Sequence, residues 1–399
     1  MRNGRAAVIT GLGLVLPQGV GLRAADAVFA GQSAVRRLGD IEGIPDATGA
    51  PVTNFRPMPG TEAADRAVQF AVAAAQEAWA GAGMADGSPD PGRTAAVISL
   101  SKGGLLGLVR LAEDGSRNGW SPWKVAPDAA AIAVARRLGL GGPVAAPITA
   151  CASGGHALLW GARLIERGVV DAAVVGAAEA SLHPLIIGSY RRMGVLAAGG
   201  EDPQASVRPF SATRRGFAIG EGAGILVLES ESSATRRGAR PLARILGWAS
   251  GCQAGSLTNM EPGGEALARL ITEALRRADV TPASLDYVNA HGTATAENDL
   301  AEARAIRAAL DGNAARVCVS STKGAHGHLL GAAAAVELVI TVMAITRGQV
   351  PPTANLTDPD PRVGLDCTPL AARRRHIGRA LKIAAGFGGQ MVAVVLGAT

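Results

Sequence analysis

The sequence predicts an α/β protein, because short apolar strands alternate with Ala-rich helical segments along all 399 residues. Five runs of Val, Ile, Leu and Ala are predicted to be strands: residues 6–10, 95–100, 145–150, 172–177 and 224–229. Their almost continuous apolar character is typical of strands covered on both faces, in a parallel or mixed sheet. Between them, residues 66–83 and 153–168 have helical periodicity, and each segment ends at a glycine.

The same alternation begins again after about residue 240, which indicates two related halves. The segment GHALLWGARLI in the first half resembles GHLLGAAAAVEL in the second, and each follows a predicted strand and turn. Residues 229–241 are polar and contain Gly and Pro, as expected of a boundary between domains. The predicted division is therefore into residues 1–238 and residues 239–399.

Composition excludes several classes of function. The net charge is +6, but only four residues are lysine and aromatic residues make up 3%, so a nucleic-acid groove is not indicated. No run of about 18 uncharged apolar residues predicts a membrane span, and a cytoplasmic location is expected. The four cysteines are far apart, without a CxxC pair or a His/Cys cluster, so neither a disulfide framework nor a metal site is expected.

Cys151 lies in the sequence ITACASGG, after a predicted strand and before a predicted helix. Small residues at a sharp strand-to-helix turn are typical of a nucleophile elbow. At a helix N-terminus, unpaired N–H groups and the macrodipole favour the thiolate, so a lowered pKa is expected. Cys151 is therefore a candidate nucleophile, and a compact buried cysteine that fills the core is the alternative.

His291 follows a predicted strand and precedes a turn that contains Thr293 and Thr295. Asp299 and Glu302 are three positions apart, so they are predicted to share one face of the next helix. His291 is a candidate functional residue, and a structural histidine is the alternative.

A third cluster contains Lys323, His326 and His328 within six residues, although the whole chain has only ten His and Lys residues. These residues open a predicted helix on which Glu337 lies about two and a half turns further along. This density of titratable side chains favours a functional site over a structural one.

Glycines surround Phe387 in the segment IAAGFGGQMV, residues 383–392. Such a loop can offer N–H groups as an oxyanion hole, and a tight turn between two strands is the alternative. A cysteine, two histidines and Gly-rich N–H donors are together the components of a site that handles thioesters.

Several motifs, in one order, resemble those of a known family. They are TACASG, RPF followed by RRGFAIGEGAG, NAHGTAT, STKGAHGHLLGA and GFGG. The chain resembles the β-ketoacyl-acyl-carrier-protein synthases, the elongating Cys-His-His ketosynthases of the thiolase superfamily, over nearly its full length. The resemblance implies a thiolase fold, in which two similar halves, each with a mixed five-stranded sheet, stack in α-β-α-β-α layers.

The resemblance also implies a reaction. Cys151 accepts an acyl group from an acyl carrier protein, and His291 and His328 promote the decarboxylation of malonyl carrier protein. The N–H groups of Cys151 and Phe387 hold the oxyanion, and Phe387 is the gate of the acyl pocket. Two neutral imidazoles suit the negative charge that develops on the thioester oxygen, and the ammonium of Lys323 is expected to keep at least one of them neutral.

Other motif residues are implied to support this chemistry. Lys323 anchors the network behind His328, with Glu337 near it, and Thr293 and Thr295 bind the pantetheine arm. No cofactor of its own is implied, because phosphopantetheine arrives on the acyl carrier protein. A dimer is expected, either with a second copy or with a paralogous ketosynthase-like chain.

Some positions depart from the family pattern, and they bear on the choice of substrate. Ser211 and Arg215 stand where the family has acidic residues, and His326 stands where a small hydroxyl residue is common. Ala385 stands where a bulky Phe is usual beside the gate, so a larger or reshaped acyl tunnel is expected. The segment from Gly103 to Cys151, expected to form part of the dimer contact and the acyl pocket, is shorter than typical.

Other functions remain as alternatives to fatty-acid or polyketide elongation by condensation. One alternative is the ketosynthase subunit of a type II polyketide synthase, paired with a chain-length factor. Another is the non-catalytic chain-length-type partner itself, which would lack the nucleophile that Cys151 provides. A degradative thiolase would carry a second cysteine near the C-terminal Gly loop. A Rossmann oxidoreductase would need a further glycine in GLGLVLPQG.

Overall fold

The computed structural model describes residues 6–39, 41, 44–84, 89–114 and 125–399. The strands are β1 Ala7–Leu16, β2 Gly19–Val20, β3 Arg36–Arg37, β4 Thr48–Ala50, β5 Thr94–Leu100, β6 Val144–Ala145, β7 Ala172–Glu179, β8 Ile219–Gly220, β9 Gly222–Ser230, β10 Ala243–Cys252, β11 Tyr287–Asn289, β12 Cys318–Ser320, β13 Gln349–Val350, β14 Arg373–Arg374, β15 Arg379–Ala385 and β16 Gln390–Gly397. The α-helices are α1 Ala25–Phe29, α2 Arg66–Gly81, α3 Leu105–Asp114, α4 Ala129–Leu138, α5 Ser153–Glu166, α6 Pro184–Arg192, α7 Glu231–Arg236, α8 Glu265–Ala278, α9 Ala296–Leu310, α10 Lys323–His326 and α11 Ala333–Arg347.

The main sheet repeats one five-stranded arrangement twice. Its order is β12-β11-β15-β16-β10-β1-β9-β7-β5-β6, with β2 paired to β1. In each half, the outer pairs are parallel and the inner pairs are antiparallel. The halves join where β1 pairs with β10. This repeated mixed sheet agrees with the predicted fold.

Glycine allows the outer helices to lie close to both halves of the sheet. The register shifts between Ile9 and Gly11 in β1, and between Ile245 and Gly247 in β10. A Cβ added at Gly11 would overlap the backbone of α2, and one added at Gly247 would overlap the backbone of α8. Each of the two strands therefore has a bulge at the equivalent position, where a packed helix leaves no room for a side chain.

Two helices form the central layer between the half-sheets. Helices α5 and α11 pack on each other and on strands of both halves, whereas α2 and α8 cover the outer faces. A Cβ at Gly154 in α5 would come 2.6 Å from the nitrogen of Ala335 in α11, so the helix backbones are in close contact. Among the described residues, one helical stretch, Leu330–Arg347, is apolar enough to cross a membrane, but 89% of it is buried inside this fold. It is a core helix.

The predicted strand over residues 145–150 is wrong in extent. Only Val144–Ala145 pairs with β5, and the chain then leaves the sheet. Pro147 has no N–H to donate, so it cannot complete the ladder of hydrogen bonds to a neighbouring strand. The residues Ala150–Ala152 form a single 3-10 turn, so Cys151 lies in this turn and not at the end of a long strand.

Candidate active site

A cavity of about 350 Å³ is lined by residues of both halves. Six residues predicted from the sequence line it: Cys151, His291, Thr293, Thr295, His328 and Phe387. Lys323 and Glu337 are fully buried behind the cavity. The structure thus brings together residues that are up to 236 positions apart in the chain, from Cys151 to Phe387.

The turn that carries Cys151 is tight and locally strained. Ala150 has a φ of 48°, so the left-handed conformation falls on the residue before the cysteine. The Ser153 hydroxyl accepts a hydrogen bond from Thr149 N at 2.9 Å and donates one to Ala150 O at 2.7 Å. These bonds hold Cys151 immediately before α5 begins, with 6% of its surface exposed.

The thiol of Cys151 is the resting form at neutral pH. Burial raises the pKa of Cys151 to about 11, and the nearby ammonium groups of Lys102 and Lys323 oppose this rise only in part. The lowered pKa expected at a helix N-terminus is therefore wrong. A thiolate loses more hydration in this partly apolar pocket than the neighbouring cations restore.

His291 and His328 face each other across the cavity. Their ring centroids are 5.5 Å apart and the ring planes are nearly perpendicular, at 81°. The backbone of His328 is fixed on both sides, because its N–H donates to Ala218 O at 2.7 Å and its carbonyl accepts from Gly220 N at 2.9 Å. The ring of Phe217 packs edge-on against His328 at 4.8 Å.

The carboxylate of Glu302 holds the backbone of the turn at His291. Glu302 accepts hydrogen bonds from His291 N at 2.5 Å and from Gly292 N at 2.7 Å. Asp299 lies on the same face of α9, as predicted, and accepts from Ala294 N at 3.1 Å. Both acids therefore bind the backbone of the turn, which leaves the imidazole of His291 to the cavity.

Both imidazoles are held in the neutral form. Burial lowers the pKa of each well below its usual value, and the charge of Lys323 lowers it further. Nδ1 of His291 and Nδ1 of His328 are buried without a hydrogen-bond partner in the described part of the chain, so no carboxylate stabilises an imidazolium. The expectation of neutral histidines agrees with this geometry, although burial contributes more than the ammonium.

Lys323 connects this pair to a buried network. Its Nζ donates to the carbonyl of His291 and lies 2.5 Å from Oε1 of Glu337. The lysine thus contacts the His291 turn directly, whereas the family resemblance implied a place behind His328. Oε2 of the same glutamate lies 2.6 Å from Nζ of Lys382, a residue that the sequence analysis missed. The available signal was one lysine inside the apolar strand LKIAA.

His326 does not line the cavity. It is fully buried, with Nε2 2.8 Å from the Thr322 hydroxyl and Nδ1 2.8 Å from Gly327 O. Burial lowers its pKa to about 4. Of the two candidate histidines in this motif, only His328 therefore faces the same space as Cys151 and His291.

The Gly-rich loop is a turn between β15 and β16, and it also closes the site. Phe387 stacks on Tyr190 with ring centroids 6.1 Å apart, and Tyr190 in turn packs edge-on against Phe217 at 5.9 Å. Ala385 lines the cavity beside Phe387. Phe217 lies within the motif RRGFAIGEGAG, but the motif predicts no role for it, and no motif contains Tyr190. No local pattern indicates that these rings meet.

The two threonines lie at one side of the same cavity. The hydroxyls of Thr293 and Thr295 are 2.9 Å apart, and Thr295 precedes the first residue of α9. Ser211 and Arg215 are outside the cavity lining. Ser211 is fully buried and bonds to Thr213, and Arg215 is exposed. Within the segment that seemed shortened, residues 115–124 lie outside the described residues.

Two family models match the chain. The model for the N-terminal domain of β-ketoacyl synthases matches residues 5–234, and the model for the C-terminal domain matches residues 242–357. Together they cover most of the sequence, on both sides of the short segment between the half-sheets.

Curated relatives and solved structures match over almost the whole chain. The tetracenomycin polyketide synthase ketoacyl synthase alpha subunit of Streptomyces glaucescens is 36% identical, over 98% of this chain and 96% of its own length. The 3-oxoacyl-[acyl-carrier-protein] synthase 2 of Coxiella burnetii is 34% identical, over 98% of each chain. A type II polyketide synthase ketosynthase, solved with its acyl-carrier protein and bound to the hexaketide, has a TM-score of 0.90 at 34% identity, over 99% of this chain and 100% of that chain. The ishigamide ketosynthase/chain length factor has a TM-score of 0.89 at 31% identity, over 99% of each chain. This protein belongs to the β-ketoacyl synthase family.

Proposed function

We propose that the protein is a β-ketoacyl-acyl-carrier-protein synthase that condenses malonyl carrier protein with an acyl group held on Cys151. One observation carries the proposal: the thiol of Cys151 and two neutral imidazoles, those of His291 and His328, open onto one cavity. A thiol nucleophile beside neutral hydrogen-bond donors suits thioester exchange followed by enolate formation.

The first step is acyl transfer. The sulfur of Cys151 attacks the thioester carbon of the acyl carrier protein, and the new C–S bond forms as the bond to the pantetheine sulfur breaks. Because the thiol is the resting form, its proton must leave during this step, and the departing pantetheine sulfur takes it up. The N–H groups of Cys151 and Phe387 hold the tetrahedral oxyanion between them.

The second step is decarboxylation of the malonyl thioester. The C–C bond to the carboxylate breaks, CO₂ leaves, and the electron pair moves onto the thioester oxygen as an enolate. His291 and His328, as neutral imidazoles, each donate an N–H hydrogen bond to that oxygen as its negative charge develops. The enolate carbon then attacks the acyl thioester on Cys151, and the released sulfur regains a proton.

The proposal also assigns the residues that bind the pantetheine arm, the gate of the cavity and the location of the protein. Thr293 and Thr295, at the side of the cavity, are assigned to the pantetheine arm, and Phe387, stacked on Tyr190, is assigned to the gate. The pantetheine arrives on the carrier protein, so the reaction is proposed to need no cofactor or metal of its own. The proposed location is cytoplasmic.

A second chain is proposed to cover the outer edge of the N-terminal half-sheet. Val144 in the edge strand β6 is 42% exposed, and Ile148, four residues later in the chain, is 48% exposed. An unpaired strand edge beside large apolar side chains is typical of an interface. The occupant is a second copy or a paralogous ketosynthase-like chain, and co-purification distinguishes the two.

A polyketide role is the second candidate function. It is favoured by the relatives named as polyketide ketosynthases and by structures of ketosynthases solved with a chain length factor. Ala385 in the cavity wall also leaves space next to the gate. In this role, the protein would be the catalytic subunit of a type II polyketide synthase, paired with a chain-length-factor paralogue.

The proposal is tested by mass spectrometry of the protein after incubation with a panel of acyl carrier proteins. Acyl adducts are expected on Cys151, and Cys151→Ala is expected to lose both the adducts and condensation while it still binds the carrier protein. Cys367→Ala is the matched control, because Cys367 is also buried but does not line the cavity. Condensation that persists in Cys151→Ala would refute the assignment.

A further inference from the structure

The backbone carbonyls of Ala290 and His291 each accept a hydrogen bond from a different buried lysine. Nζ of Lys382 donates to Ala290 O at 3.2 Å, and Nζ of Lys323 donates to His291 O. Both ammonium groups contact Glu337, with Lys323 2.5 Å from Oε1 and Lys382 2.6 Å from Oε2. None of these three side chains is more than 1% exposed.

Lys382 reaches this position from the strand next to His291. Strand β15 runs parallel to β11, and Lys382 lies opposite Asn289 in the register. Its Nζ also donates to Oδ1 of Asn289 at 3.1 Å. The ammonium of Lys382 therefore has two hydrogen-bond acceptors, Ala290 O and Asn289 Oδ1, and an ion pair with Glu337. Removing a lysine ammonium group from water costs free energy unless hydrogen-bond acceptors and a counter-charge replace the water, as they do here.

The two lysines and Glu337 carry a net positive charge that acts on both catalytic imidazoles. Two lysines share one carboxylate, and they hold the pKa of Glu337 below its usual value although burial alone would raise it. The net charge of the three side chains is therefore +1. Burial lowers the pKa of Lys382 to about 8, so Lys382 remains mostly charged below pH 7.

The groups that face this cluster are the three histidines of the site region and two residues of neighbouring elements. The Lys382 charge lowers the pKa of His291, His326 and His328. Glu302 of α9 and Tyr287 of β11 are the other titratable groups near it: the Lys382 charge acts on Glu302, and Tyr287 receives a hydrogen bond from Asn289 at 3.1 Å.

We propose that Lys382 is a positioning residue of the condensing site: it fixes the backbone that carries His291, and its charge, with that of Lys323 across Glu337, adds to the burial that keeps both catalytic imidazoles neutral. This inference rests on the proposed function. It extends that function because it assigns a role to a residue outside the cavity, on the strand that leads into the Phe387 loop.

The test is the pH dependence of malonyl carrier protein decarboxylation, measured in a Cys151→Gln background between about pH 4.5 and pH 8. Four proteins are compared: the background alone, with Lys382→Met, with Glu337→Gln, and with both changes. The net charge of the lysine–glutamate cluster is +1, 0, +2 and +1 in that order. The acid limb caused by protonation of the imidazoles is expected to follow this charge; burial raises the pKa of Glu302 to about 7, and histidine NMR spectra distinguish its titration from that of the imidazoles.

Lys382→Met should therefore move the acid limb to higher pH by about one unit, and Glu337→Gln should move it to lower pH. The double variant should return it to the position of the background protein, although it has lost two buried polar groups. A purely structural role for Lys382 would lower the rate and the melting temperature in the variants without this order. Should Lys382→Met fail to fold, Lys382→Gln removes the charge while it keeps a donor for Ala290 O, and it carries the same prediction.

The outcomes separate this inference from the proposed function. If the Cys151→Gln background does not decarboxylate malonyl carrier protein, the proposed function is wrong. If it does so, and the acid limbs of the variants coincide or the double variant does not return to the background position, the role of Lys382 is wrong. Histidine NMR spectra of the same proteins provide a second reading of the protonation of His291 and His328.

Discussion

Gly386 packs directly against the backbone of Cys151. A Cβ built on Gly386 would lie 3.0 Å from the Cys151 nitrogen and 2.7 Å from Thr149 O. Because both neighbours are backbone atoms, neither can turn away as a side chain would. This contact brings the loop that carries Phe387 against the turn that carries the nucleophile, and so joins the two halves of the chain at the reaction centre.

Gly386→Ala is expected to reduce condensation by about 100-fold, because the added methyl group separates the two N–H donors proposed for the oxyanion. The rate of β-ketoacyl product formation with saturating carrier proteins measures this loss. Gly255→Ala is the control, since a Cβ at Gly255 would meet nothing within 4 Å. Equal rates in the two variants would mean that the contact with Cys151 does not shape the oxyanion site.

His328→Ala is expected to reduce malonyl carrier protein decarboxylation by about 100-fold or more in the Cys151→Gln protein, which mimics the acylated state. The reason is the loss of a neutral donor to the enolate oxygen. Release of CO₂ measures the step without condensation. His376→Ala, at an exposed position, provides the comparison. Undiminished CO₂ release in His328→Ala would remove His328 from the mechanism.

Alkylation of Cys151 by iodoacetamide is expected to accelerate about tenfold per pH unit from pH 7 to pH 10. The thiolate is the reactive form, and burial raises the pKa of Cys151 to about 11, so its fraction grows throughout this range. Peptide mass spectrometry measures the rate at this residue. Lys102→Met should slow the reaction further, because the Lys102 charge favours the thiolate. A rate that levels off near pH 7 would contradict the raised pKa.

Ala385→Phe is expected to shift acyl transfer toward shorter chains, because a bulky ring would fill part of the cavity wall beside Phe387. Competition among carrier proteins loaded with different acyl groups, read as adducts on Cys151, measures the shift. Carrier-protein binding should remain unchanged, since Ala385 lies inside the cavity. An identical distribution of adducts would show that this position does not limit chain length.

The sequence alone determined the class of the fold and much of the site. Hydrophobic periodicity identified the helices α2 and α5 to within a few residues, because their buried faces repeat with the helical period. The residues around Cys151, His291 and Phe387 made them candidates, and the family resemblance implied their roles and that of His328. Four of the five predicted strands are present, and the fifth is cut short before Pro147.

Only the tertiary structure decided the electrostatics and the contacts between distant residues. The helix N-terminus suggested a lowered pKa for Cys151, but burial raises that pKa, and desolvation depends on atoms from the whole fold. Lys382 forms an ion pair with Glu337 and a hydrogen bond with Asn289, and these residues lie 45 and 93 positions away in the chain. Periodicity and motif spacing are local properties, whereas hydration and charge pairing depend on which segments the packed core brings together.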